Sequence, residues 1–152
     1  MSTIMQQAAK LVSPAKIEYY PEAASQSFKK GEFVYLVSGK VTVITASSRI
    51  AGMALQDAST TTDTAIAVAI AEEGVLFEAN VTGAVTAITN VGVTYGISIS
   101  SNKHYVDLSV TTLGLARLKI KAISPRDAVG DTYGRVLVEV LGSMCQLSGQ
   151  TS

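Results

Sequence analysis

The chain has 152 residues, with 12 Lys or Arg against 12 Asp or Glu, so its formal net charge is zero. A neutral chain has no general attraction for nucleic acid, an anionic membrane or an acidic substrate. A single histidine (His104) and a single cysteine (Cys145) exclude an internal disulfide and a Cys/His zinc site.

Residues 1–27 carry little periodicity and hold two of the three prolines, Pro14 and Pro21. They lack the basic-then-apolar pattern of a secretory leader, so a protein made in the cytoplasm is expected. The stretch reads as an extended N-terminal arm with one strand at 16–20. Its apolar residues are Ile4, Leu11, Val12, Ile17, Tyr19 and Tyr20. A free arm buries such residues by lying on a neighbour, which makes these six the candidate interaction residues.

A short basic step, Lys29-Lys30-Gly31, then leads into strands at 33–37 and 40–45, with Ser38-Gly39 as the tight turn between them. Ser38-Gly39-Lys40 resembles the end of a phosphate-binding loop, but positions 34 and 41 are both Val, so the motif fails and the hairpin stands. Further strands are expected at 50–55, 64–70 and 75–81, around a polar loop at 56–63 and a turn at Glu73-Gly74. Residues 84–89 fit either a strand or a short helix. Val91, Val93, Tyr95, Ile97 and Ile99 then alternate with small or polar residues. After a turn at Ser101-Asn102, strands follow at 105–110, 117–122 and 135–140, and 143–152 form a tail that is loose at its end. Arg117, Lys119 and Lys121 share one strand face, which reads as the solvent side or a rim facing a partner.

Period two throughout, with Val, Ile and Thr making up 43 of the 152 residues, is the pattern of half-buried strands. Short strands at intervals of roughly 8–12 residues give an all-β, compact barrel or sandwich. The domain boundaries follow as an arm at 1–27, a β-domain at 28–142 and a tail at 143–152. No internal repeat is evident. The longest uncharged run, 79–102, alternates and is rich in Thr, Ser, Asn and Gly, so it is a strand pattern and not a membrane helix.

No cluster for catalysis emerges. His104 follows a turn and reads as a surface or edge histidine. Cys145 has no cationic neighbour in sequence to activate it. The segment from Asp127 through Gly130-Asp131-Thr132-Tyr133-Gly134 is faintly similar to the uracil-binding motif of trimeric dUTP pyrophosphatases. Its spacing is too tight, however, and the Gly-rich C-terminal motif of that family is missing. Turn-stabilising aspartates explain it more simply. No catalytic residue, cofactor or metal ligand is therefore expected, and the protein reads as a non-enzyme.

The element order has a closer likeness. Lys30-Gly31-Glu32-Phe33-Val34, Ile50-Ala51-Gly52-Met53-Ala54, Ile66-Ala67-Val68-Ala69-Ile70 and Leu76-Phe77-Glu78-Ala79-Asn80 follow one another. Val91-Gly92-Val93-Thr94-Tyr95-Gly96, Tyr105-Val106-Asp107, Asp127 and Gly130 come next. Across residues 28–141 this order resembles the head decoration, or cement, proteins of tailed bacteriophages. The resemblance implies a β-tulip-like domain that forms homotrimers on the outside of the expanded capsid and stabilises the lattice by bridging major capsid subunits. It implies the major capsid protein and other copies of itself as partners, no nucleic acid, no membrane, and a place on the outer surface of the virion. By position, the arm with its six apolar residues would be the capsid- or subunit-binding segment. The alternatives are another virion part of the tail, neck or fibre, or the dUTP pyrophosphatase-like enzyme.

Overall fold

The computed structural model describes residues 4–82 and 88–147. Strand makes up 42% of it and helix 4%, so the chain is all-β as its period-two pattern requires. The strands are β1 (Lys10–Leu11), β2 (Ile17–Pro21), β3 (Phe33–Val37), β4 (Lys40–Val43), β5 (Gly52–Ala54) and β6 (Ala65–Ile70), followed by β7 (Phe77–Asn80), β8 (Thr94–Ser100), β9 (Lys103–Asp107), β10 (Leu118–Ile123) and β11 (Arg135–Val140). Single 3-10 turns occupy Ile88–Asn90 and Gly142–Met144. Of the segment that fits strand or helix, Ile88–Asn90 is the helical part, and 83–87 lie outside the described residues.

Two antiparallel sheets result, in the orders β2-β6-β5-β3-β4 and β1-β7-β11-β10-β8-β9. The two expected hairpins form as two-residue connections. Ser38 and Gly39 have φ of 51° and 78°, and Ser101 and Asn102 have 50° and 61°. Positive φ at both central residues is the turn whose twist matches the flanking strands.

The sequence shows no repeat, but the structure contains one. If β2 to β6 are named a to e, the first sheet runs a-e-d-b-c. If β7 to β11 are named the same way, the second sheet also runs a-e-d-b-c, with β1 added outside. Each set curls until its ends meet at one parallel bridge, Glu22 to Val41 in the first and Val81 to Val106 in the second. In an antiparallel set of five, the first and last strands point the same way, so the closing contact has to be parallel. The chain is thus two lobes of one topology, 17–70 and 77–140. The second hairpin is longer: its bridge residue, Val106, lies two positions further from the turn than Val41 does.

Alternation divides the core accordingly. Val34, Val41, Ala54, Ile66, Val68 and Ile70 fill the first lobe with Phe28. Phe33 and Met53, on the opposite face of the same strands, pack with Phe77, Leu118, Ile120 and Val138 in a larger core shared by both lobes. The Phe33 and Phe77 rings meet edge to face at 5.2 Å, a favoured aromatic geometry.

The N-terminal arm is extended, and it is laid along both lobes. β1 pairs with the outer edge of β7, with Lys10 opposite Glu78 and Leu11 opposite Phe77, and β2 is itself strand a of the first lobe. The strap crosses Gly31 so closely that a Cβ there would lie 2.4 Å from the Ala9 carbonyl oxygen, and Gly31 has φ +95°. Only glycine meets both conditions. The C-terminal segment crosses the other way. Cys145 bridges Ile50, and the Gln146 side-chain amide pairs with both backbone groups of Leu36, at 2.7 and 2.9 Å.

Candidate functional site

The strap carries all six candidate interaction residues, and it sorts them. Leu11 packs on the shared core and Tyr20 on the first-lobe core. Ile4 is half-buried, and its amide donates to the Thr132 carbonyl. Val12, Ile17 and Tyr19 face outward, with Tyr19 67% exposed. Met5, which the sequence reading passed over, is 75% exposed beside them in the chain.

Specific bonds hold the strap against the lobes. The Gln7 amide donates to Asn80 Oδ1 at 2.9 Å, and Asn80 Nδ2 donates back to the Met5 carbonyl at 3.2 Å. The Val12 amide reaches the Leu76 carbonyl, while the Leu76 amide donates to Ser13 Oγ. Glu78, under the strap, receives Arg126, Ser124 Oγ at 2.9 Å and Lys10 Nζ at 3.6 Å. The outward apolar side chains are therefore displayed on a backbone already fixed in place. Next to the strap lies a cavity of about 270 Å³, walled by Ala9, Leu11, Met53 and Leu55 with Lys10 and Lys30 also lining it.

His104 corrects the sequence reading. It is 1% exposed and joins the two lobes. The longer second hairpin carries it over the first lobe. There Nδ1 accepts the Phe33 amide at 3.3 Å and Nε2 lies 3.1 Å from Glu32 Oε1. An acceptor at Nδ1 leaves the proton on Nε2, donated to Glu32. Glu32 also accepts the Lys29 amide at 2.6 Å and Asn102 Nδ2 at 2.9 Å. Burial alone would raise the Glu32 pKa, but hydrogen bonds from His104, Asn102 and the Lys29 amide outweigh it and hold the carboxyl below its ordinary value. Both ring nitrogens of His104 are thus engaged in joining the lobes.

Arg117 is a second correction. Placed just before β10, it is 1% exposed, unlike Lys121 within β10, which stays exposed and reaches Glu139 at 3.7 Å. Its Nη1 donates to the Ser48 carbonyl at 2.6 Å, and its own carbonyl accepts the Leu141 amide. Residues 141–147, returning to the first lobe, cover the end of β10 that the alternation alone leaves open.

Three further carboxylates also have structural work. Asp127 binds the Arg135 guanidinium and the Arg135 amide at 2.7 Å, and the Arg135 hydrogen bond lowers its pKa. Asp131 accepts the Ala128 amide at 2.9 Å. These are the turn bonds that the short spacing of this segment suggests. Glu22, fully buried, accepts the Ser59 amide and hydroxyl at 2.8 Å and the Thr60 amide at 3.0 Å, and so shapes the polar loop. Cys145 is buried, with Sγ near the Val140 and Leu141 carbonyls. Among the described residues, no three His, Cys, Asp or Glu groups gather to hold a metal, and no helix is long and apolar enough to cross a membrane.

Compared with known proteins, the chain matches no protein-family model and no curated sequence.

Proposed function

We propose that the protein is a structural component of a tailed-phage virion that decorates the outside of the expanded capsid and bridges major capsid subunits. The reading rests on the resemblance in element order. The observation that carries it furthest is the strap: Met5, Val12, Ile17 and Tyr19 face outward from a backbone bonded to both lobes. Apolar side chains on a fixed backbone form a contact surface that needs little ordering on binding. The groups that sequence reading offers for chemistry support it too, because His104, Cys145, Asp127 and Asp131 are engaged inside the fold.

The mechanism is linkage. A protein that binds only the expanded lattice stabilises that lattice by its binding free energy at every occupied position. Co-sedimentation with expanded, undecorated capsids and with unexpanded procapsids tests this. Saturable binding to expanded shells alone is the expected result. Binding to neither form would overturn the capsid reading in favour of a tail, neck or fibre position. Nucleotide turnover lost in Asp131→Asn would overturn it in favour of the enzyme.

A further inference from the structure

The internal symmetry exposes one difference between the lobes. Strand a of the second lobe, β7, is paired on both sides, with β11 within the lobe and with β1 on its outer edge. Strand a of the first lobe, β2, pairs only with β6, apart from the single bridge at Glu22. Aligned on their bridges, Tyr19 corresponds to Glu78 and Ile17 to Leu76. Leu76, just before β7, and Glu78, within it, are the residues whose backbones face the N-terminal strap. Glu78 is covered by Arg126 and Lys10, whereas Tyr19 is open.

The hydrogen bonds give the same direction. The Ile70 amide donates to the Lys16 carbonyl, and the Glu22 amide to the Thr64 carbonyl, so even-numbered residues of this segment bond toward β6. The amides and carbonyls of Ile17 and Tyr19 therefore point to the free edge. Pro14 and Pro21 bracket that edge, which confines any added pairing to a short window.

We propose that the β2 edge pairs with the β2 edge of a second copy, antiparallel, about a two-fold axis at Ile17. The charges select both occupant and register. Lys16 and Glu18 are exposed, and neither has an ion-pair partner among the described residues. With the axis at Ile17, each Lys16 lies opposite Glu18 of the other copy, twice over. With the axis at Lys16 or Glu18, like charges face each other, which is unfavourable at directly opposed positions. The same register brings the two Ile17 side chains together as a cross-strand pair, with Tyr19 of each copy diagonal to Ile17 of the other. The chain's own β1 cannot serve here, because it is already committed to β7 and lies only five residues before β2.

The contact takes up Ile17 and Tyr19 and leaves Met5 and Val12 of the outward strap residues for the capsid; it is tested without capsids, on the purified chain, by sedimentation-equilibrium mass. The chain mass is 15.9 kDa. A two-fold contact gives an even number of copies, whether single chains or the trimers implied by the resemblance are being joined. Glu18→Lys and Lys16→Glu each place like charges at both contacts and are expected to weaken association about tenfold, halving the copy number at matched concentration. The double variant, Lys16→Glu with Glu18→Lys, restores opposite charges and the original mass. Ile17→Pro removes an amide that points to the free edge, leaves the β6 ladder intact, and also halves the mass. Thermal midpoints of the variants report that they fold. An odd copy number, a mass unchanged by Glu18→Lys, or a double variant that stays dissociated would each overturn the proposal.

Discussion

Replacing Glu32 with Gln tests whether the buried joint between lobes is held by a carboxylate and a specific tautomer. The wild-type carboxylate accepts from three donors: the Lys29 amide, Asn102 Nδ2 and His104 Nε2. A glutamine has one carbonyl oxygen, and its amide nitrogen must face at least one of these donors. His104 cannot relieve the conflict by moving its proton to Nδ1, because the Phe33 amide already points there. One buried donor is therefore left unsatisfied, at a cost of about 2–3 kcal/mol. For a chain of this length that lowers the melting midpoint by roughly 5–10 °C. The pH dependence adds a signature that lost packing would not give. The folded-state pKa of Glu32 lies below its ordinary value of 4.5. Its contribution is therefore fully present above that value and fades as pH falls through the depressed folded pKa. Urea unfolding of both proteins from pH 7 to pH 3 should show a constant difference near neutrality that shrinks in acid. Equal stabilities at pH 7, or a difference that persists undiminished at pH 3, would refute the argument.

Three other outcomes follow from the contacts described. Deleting residues 1–13 uncovers the β7 edge and removes the buried Ala9 and the core contact of Leu11. It should cost roughly 2–4 kcal/mol by area burial, and calorimetry giving an unchanged melting midpoint would contradict it. Asp127→Asn breaks the ion pair with Arg135, whose Asp127 side chain is fully buried. A loss of about 3 kcal/mol is expected. Because the Asp127 pKa is lowered in the fold, that loss should diminish only when the pH drops through its folded value, below 3.8. Ser38→Asn puts the residue preferred at the first position of this turn into a site with φ of 51°. It should stabilise the protein by about 0.5 kcal/mol in urea titrations.

The local order was legible because alternation and turn chemistry are local. Ser38-Gly39 and Ser101-Asn102 mark their hairpins, and Val136, Val138 and Val140 point inward as their spacing requires. The repeat was not legible, because equivalent positions carry unlike residues. Pairing partners make Val34 equivalent to Tyr95 and Gly52 to Leu118, and the extra length of the second hairpin shifts the register between the halves. His104 and Arg117 misled for a related reason. Each sits on a strand face that alternation assigns to solvent or an edge, and each is covered by a segment distant in sequence. The strap was recognisable as an extended apolar stretch, but the division between its inner and outer residues depends on β7 and β6, which no local pattern names.

The way the two lobes exchange segments has a consequence for how the chain leaves the ribosome. The first lobe is complete in sequence at Ile70, yet residues 4–12 then have only their crossing over Gly31 and the Met53 side of that lobe, without their hydrogen-bond partners. Their partners are Leu76, Glu78, Asn80 and Thr132, still to be synthesised. Glu32 has the Lys29 amide but waits for His104 and Asn102, and Leu36 waits for Gln146. The first lobe alone therefore lacks two of the three donors to Glu32 and the hydrogen-bond partners of the N-terminal segment. The two lobes therefore close on one another only once residues as far along the chain as Thr132 and Gln146 are present.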